Sequence, residues 1–153
     1  LYLQGMSKAL LPLFLFCACW SAQAQLSLSM HTRVGGALDF ANSNEIGLNV
    51  DLGKKNYASA RIAMTRYTDW FSGDVNRPQI SPILGLGKVF SLTQRIALGG
   101  ELDLRWNDRA TQGPGLGPVA LILFAPIRLS PNWKLQVSTG IPYHAGIGAV
   151  FQL

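Results

Sequence analysis

The sequence predicts an all-β protein, an eight-stranded antiparallel up-and-down transmembrane β-barrel. Three observations lead there. Apolar and polar residues alternate with a period of two through nearly all of the chain after residue 24. Charged residues make up only 14% of the sequence, against about 25% in ordinary soluble domains. No apolar run after residue 24 reaches the ~20 residues that a membrane-crossing helix needs. A chain this apolar without such a helix crosses a bilayer only as strands closed on themselves.

The N-terminal stretch is set apart first. Residues 1–5, Leu-Tyr-Leu-Gln-Gly, read as the remnant of a tag-removal site. Residues 6–24 have the parts of a secretory signal peptide: Lys8, then the apolar run Ala9–Trp20, then Ala22-Gln23-Ala24, with cleavage expected before Gln25. Both cysteines, Cys17 and Cys19, fall in this segment. Residues 25–153, expected to form the barrel as one domain, therefore offer no disulfide framework and no thiolate metal site.

The first strand is expected over Leu26–Phe40, with Leu26, Leu28, Met30, Val34, Leu38 and Phe40 on one face and Ser27, Ser29, His31, Arg33 and Asp39 on the other. The second spans Asn44–Lys54, where Ile46, Leu48, Val50 and Leu52 alternate with Glu45, Asn49 and Asp51. The third spans Tyr57–Trp70, with Arg66 breaking the apolar face. The fourth spans Gln79–Ser91, with Lys88 as a second exception. The fifth spans Arg95–Asn107, where Ile96, Leu98, Leu102, Leu104 and Trp106 oppose Glu101, Asp103 and Arg105. The sixth, seventh and eighth span Gly117–Leu129, Trp133–Tyr143 and Gly146–Leu153.

Connections alternate in length. Those after strands two, four and six are tight: Lys55-Asn56, Leu92-Thr93-Gln94 and Ser130-Pro131-Asn132. Those after one, three and five are polar and often longer: Ala41–Ser43, Phe71–Pro78 and Asp108–Gly115. Outer-membrane barrels have short periplasmic turns and longer external loops. Aromatics gather at the strand ends. Phe40, Trp70, Phe71, Trp106 and Tyr143 fall on the long-loop side, and Tyr57, Phe90, Trp133 and Phe151 on the other, as two interfacial girdles would. The competing architecture is a lipocalin-like soluble barrel, which would concentrate its aromatics mid-strand.

On strand count, loop asymmetry and girdles, residues 25–153 resemble the small eight-stranded outer-membrane proteins of the OmpA transmembrane-domain and OmpX type. The resemblance is architectural. It implies a place in the bacterial outer membrane of a Gram-negative cell, contact with outer-membrane lipid and lipopolysaccharide, and insertion by the barrel-assembly machinery. Members usually end in an aromatic residue. This chain ends Val150-Phe151-Gln152-Leu153, and departs from that pattern at its last position.

If the apolar face meets lipid, the charges point inward. The expected interior ion network is His31, Arg33, Asp39, Glu45, Asp51, Arg61, Arg95, Glu101, Asp103, Arg105, Arg128 and Lys134. Acids and bases are interspersed, as buried charges must be to pair. An eight-stranded barrel is just wide enough for side chains to fill, so a plugged interior is expected. The expected role is structural, in surface interaction or in membrane integrity. The alternative is a porin-like narrow pore, or a carrier for a small amphipathic ligand, since Gly85, Gly87, Gly146 and Gly148 leave room inward. A lipid-modifying enzyme comes third. Pro82, Pro118, Pro126 and Pro142 remove ladder donors, and a weak seam between strands six and seven would admit a lipid chain sideways. Outer-membrane palmitoyltransferases resemble this in having proline-flanked openings.

No catalytic residue is assigned. Ser29 and His31 share a face two residues apart, a spacing too common to mark a catalytic pair. Two histidines and no cysteine after residue 24 argue against a transition-metal site, and no cofactor is expected. The net charge of +5 is scattered, which argues against a nucleic-acid partner. Arg77 and Arg109, in the longer connections, are the candidates for lipopolysaccharide phosphates. The sequence leaves the oligomeric state open.

Overall fold

The computed structural model describes residues 25–35, 40–69, 72, 73, 75, 77–106 and 118–153. The expected tag remnant and signal peptide lie outside the described residues. Eight strands follow one another: β1 (Leu26–Gly35), β2 (Phe40–Gly53), β3 (Asn56–Thr68), β4 (Gln79–Ser91), β5 (Ala97–Arg105), β6 (Val119–Arg128), β7 (Trp133–Ile141) and β8 (Ala145–Gln152). Each pairs antiparallel with its sequence neighbours, and β1 pairs with β8, so the sheet closes into a barrel. Among the described residues, closure leaves no strand at a sheet edge. The closing ladder runs from Ser27 opposite Gln152 to Val34 opposite Ala145.

Period-two alternation selects the faces everywhere. On β5, Glu101, Asp103 and Arg105 are buried, while Leu98, Leu102 and Leu104 are 49%, 49% and 41% exposed on the outside. The same inversion holds around the wall: Ile46, Ile62, Leu86, Leu123 and Ile147 face outward, and Ser29, Arg33, Glu45, Ser59, Arg61 and Ile122 face the lumen. Two outward cations, Arg66 and Lys88, interrupt the apolar faces of β3 and β4. Arg66 lies opposite Asn42 near the long-loop end, and the Lys88 ammonium lies 5.4 Å from the Phe90 ring centroid near the turn end.

The first reversal differs from expectation. The chain leaves β1 at Gly35 and has re-entered the sheet at Phe40, so Ala41, Asn42 and Ser43 are strand residues paired with Gly35, Val34 and Arg33. Alternation runs unbroken through the reversal, which hides it from a period-two reading. The physical mark is Gly35, with φ +144°, where a Cβ would stand 2.5 Å from the backbone nitrogen of His144. The turn after β2 is centred on Lys54-Lys55, one residue earlier than expected. Both residues have positive φ, 52° and 67°, as a two-residue type I′ hairpin requires. Gly53 donates its N–H to Asp51 Oδ1 at 2.6 Å and steadies that turn.

The aromatic girdles also need correction. Phe40, Phe90 and Trp133 are exposed on the outer face, and Phe151 packs against Trp133 with ring centroids 4.8 Å apart and the planes tilted by 50°. Tyr143 and Tyr57 are not girdle residues. Tyr143 is buried. Tyr57 meets Phe124 edge-on inside the barrel, at 6.1 Å and 68°. Its parity with Ser59 and Arg61 places it inward, whatever its height on the strand. Trp70 and Phe71 lie outside the described residues.

Candidate functional site

The lumen is built in three levels. The middle level is an ion network assembled from β1, β2, β3 and β5. Arg33 Nη1 lies 3.0 Å from Glu45 Oε2 and 3.3 Å from Asp103 Oδ2. Arg61 Nη2 lies 2.9 Å from Glu101 Oε1 and also contacts Asp103, and its Nη1 is 3.6 Å from Glu45 Oε2. Arg105 Nη2 closes the ring, 2.6 Å from Glu45 Oε1 and 3.1 Å from Asp103 Oδ2. Three guanidinium groups thus face three carboxylates, and their formal charges cancel. None of the six side chains is more than 2% exposed.

Neighbours complete the network. Ser59 donates its hydroxyl to Glu101 Oε1 at 2.5 Å. Ser43 donates to Glu45 Oε1 at 3.4 Å, and Thr65 donates to Ser43 at 3.0 Å. Space comes from β4, the strand between β3 and β5. A Cβ on Gly85 would run into Ser59 Oγ and the Glu101 and Asp103 carboxylates. Charges held this way are stable only as a set, because each is desolvated and depends on the others.

The long-loop level lies above the network. Tyr67 and Tyr143, 0% and 1% exposed, pack with Ala41, Ala120 and Ile122. The Arg105 guanidinium sits 4.5 Å from the Tyr143 ring centroid, at cation–π distance. The turn-end level is open. A cavity of about 270 Å³ lies there, with Glu101, His31 and Gln136 among its deep residues and Lys55, Asn56 and Gln152 near the strand ends.

Of the expected network, the structure brings together Arg33, Glu45, Arg61, Glu101, Asp103 and Arg105. His31 is buried beside them, its ring against Gly148, and its Nδ1 has no partner among the described residues. Four residues stand apart, in correction of the expectation. Asp51 is exposed and caps the β2–β3 turn. Arg95 is exposed in the β4–β5 turn, and the exposed Arg128 donates from Nε to the Ser130 carbonyl at 3.3 Å. Lys134 faces the cavity rather than an acid. Alternation gives a residue's face but not its height, and these four belong to strand ends and turns. Asp39 and Arg109 lie outside the described residues, and Arg77 is exposed before β4.

Two lumen residues are not evident from the sequence: Ser43, which the alternation places in a connection, and Tyr143, which its place at a strand end assigns to a girdle. Parity with Glu45 would have found the first. The second lies past the end of β7, where alternation no longer applies. Ser29 donates to the Gly47 carbonyl at 3.3 Å. The β6–β7 ladder keeps its register from Leu121↔Ile141 to Arg128↔Lys134, through Pro126. Among the described residues no group of three or more His, Cys, Asp or Glu side chains could hold a metal ion.

The chain matches no model of a known protein family, and no curated protein matches it. Among solved structures it is similar to a chain described as "De novo design of transmembrane beta-barrels". The two share 13% sequence identity and superpose with a TM-score of 0.59, over 83% of this chain and 95% of that one. The likeness supports the eight-stranded barrel fold.

Proposed function

We propose that this chain is a non-conducting transmembrane β-barrel of the bacterial outer membrane, similar in kind to the OmpA and OmpX barrels. Its role is structural, in surface interaction or in membrane integrity. The observation that carries this is the inverted wall. Leucine and isoleucine lie on the outside of every strand, while three arginines and three carboxylates are buried in the middle of the lumen. In water such a surface would be one continuous apolar band, far beyond what soluble monomers expose; against acyl chains it is the favourable arrangement. The ion network supports a closed lumen, because its six side chains occupy the section an ion would have to cross. Export by the 6–24 signal, insertion by the barrel-assembly machinery and Arg77 contacts with lipopolysaccharide phosphates belong to the same reading.

Purified protein in a planar bilayer is expected to insert without steady current, and to show heat-modifiable gel mobility after detergent extraction. Sustained conductance would overturn the plugged lumen and favour a narrow pore. Free solubility in water would overturn the membrane reading and favour a lipocalin-like carrier. The proposal also excludes enzymatic modification of lipid, supported by the burial of Ser29 and His31 inside the lumen, away from the lipid-facing wall. Lipid A from cells with and without the protein should give the same mass spectrum.

A further inference from the structure

We infer that the turn-end cavity is a binding site for a small amphipathic anion, a short carboxylate with an apolar tail. The cavity is chemically uneven. Glu101 at its deep end is matched by Arg61 at 2.9 Å, and Asp51 is engaged by the Gly53 N–H at 2.6 Å. The cations that also line it, Lys134 and Lys55, have no ion-pair partner among the described residues. Lys134 is on the inward face of β7, two residues before Gln136, so an ammonium and an amide donor stand in sequence along one wall.

Beside those donors the wall is apolar. Val150 sits opposite Lys134 in the β7–β8 register, Pro126 sits opposite Gln136 in the β6–β7 register, and Val89 lines the cavity from β4. A carboxylate accepting from Lys134 and Gln136 gains charge-assisted hydrogen bonds, while its tail displaces water from Val150, Pro126 and Val89. The volume sets the size. About 270 Å³ is room for a short-chain carboxylate such as hexanoate, and a longer chain would project from the open turn end. Entry is from the turn end, because the ion network roofs the other side. That last point rests on the plugged lumen; the binding itself does not, and conductance and binding are measured separately.

The probe is hexanoate, titrated by calorimetry into the full barrel in zwitterionic nanodiscs, with empty nanodiscs as the partition blank. Saturable one-to-one binding is expected, with hexylamine showing none. Lys134→Gln should weaken hexanoate binding at least tenfold, Val150→Phe should abolish it by filling the cavity without changing charge, and Lys54→Gln at the turn tip should leave it unchanged. Heat-modifiable mobility confirms that each variant is folded. The inference is overturned if hexanoate binds no more than to empty nanodiscs, if hexylamine binds equally, or if the folded Lys134→Gln and Val150→Phe variants bind like the parent.

Discussion

Removing the Glu101 carboxylate leaves Arg61 with Asp103 and, at 3.6 Å, Glu45. The lumen then carries three guanidinium groups against two carboxylates, in a place water does not freely reach. Breaking a buried pair from one side costs about 3–5 kcal/mol. Leu102, the next residue, is half exposed on the outer face. Trimming it to alanine removes three carbons from an apolar surround and costs about 2 kcal/mol at most. Glu101→Leu is therefore expected to lower the unfolding temperature well beyond Leu102→Ala, with Glu101→Gln between them because it keeps an acceptor for Ser59. Equal heat stability of Glu101→Leu and Leu102→Ala would contradict the network. At this scale the sequence was informative about side and uninformative about partners. The inward parity of Arg33, Glu45, Arg61 and Asp103 could be read directly, but not that one Asp103 side chain receives all three arginines. That depends on the stagger of β5 against β1–β3, which no local pattern encodes.

At the scale of the strand, β4 and β5 show how glycine divides the work. Gly85 on β4 faces the network, and any Cβ there meets Ser59 and two carboxylates that are already held. Gly100 on β5 faces outward, where the nearest atom to a Cβ is 3.7 Å away. Overpacking a filled interior costs about 1–3 kcal/mol. Replacing an unstrained glycine by alanine stabilises by about 0.4–1 kcal/mol. Gly85→Ala should thus lower, and Gly100→Ala preserve or raise, the urea midpoint for unfolding from detergent or lipid; the reverse order would show that β4 does not make room for the network. Strand limits were legible in proportion to their punctuation. β4 has the expected limits, Gln79 and Ser91, set between Arg77-Pro78 and a Thr-Gln turn. β1 was overrun by five residues because its reversal keeps the alternation, and only the Gly35-Gly36 pair marked it.

At the scale of the whole barrel, the proposed non-conducting role requires a lumen that is blind. Tyr67, Tyr143 and the ion network close the long-loop half, and the cavity opens at the turn end, where the first and last strands also begin and finish. Residues 25–153 contain no cysteine, so single introduced thiols can report access from each side. Val150→Cys places a thiol on the cavity wall. Ala120→Cys places one among the packed residues beside Tyr143, at a position 1% exposed. In vesicles with the barrel inserted in one orientation, a membrane-impermeant maleimide should modify the thiol at position 150 from the turn side alone. It should modify the thiol at position 120 from neither side until the protein is unfolded. Modification at position 150 from the long-loop side would mean a continuous path through the network. Because each arginine contacts at least two carboxylates, opening such a path requires several pairs to part together. Adding Glu101→Leu to Val150→Cys should therefore still admit no reagent from the long-loop side, because Glu101 pairs with Arg61 alone and Arg33, Arg105, Glu45 and Asp103 stay linked without it; labelling from that side in the double variant would show that one carboxylate, not the linked set, holds the path shut.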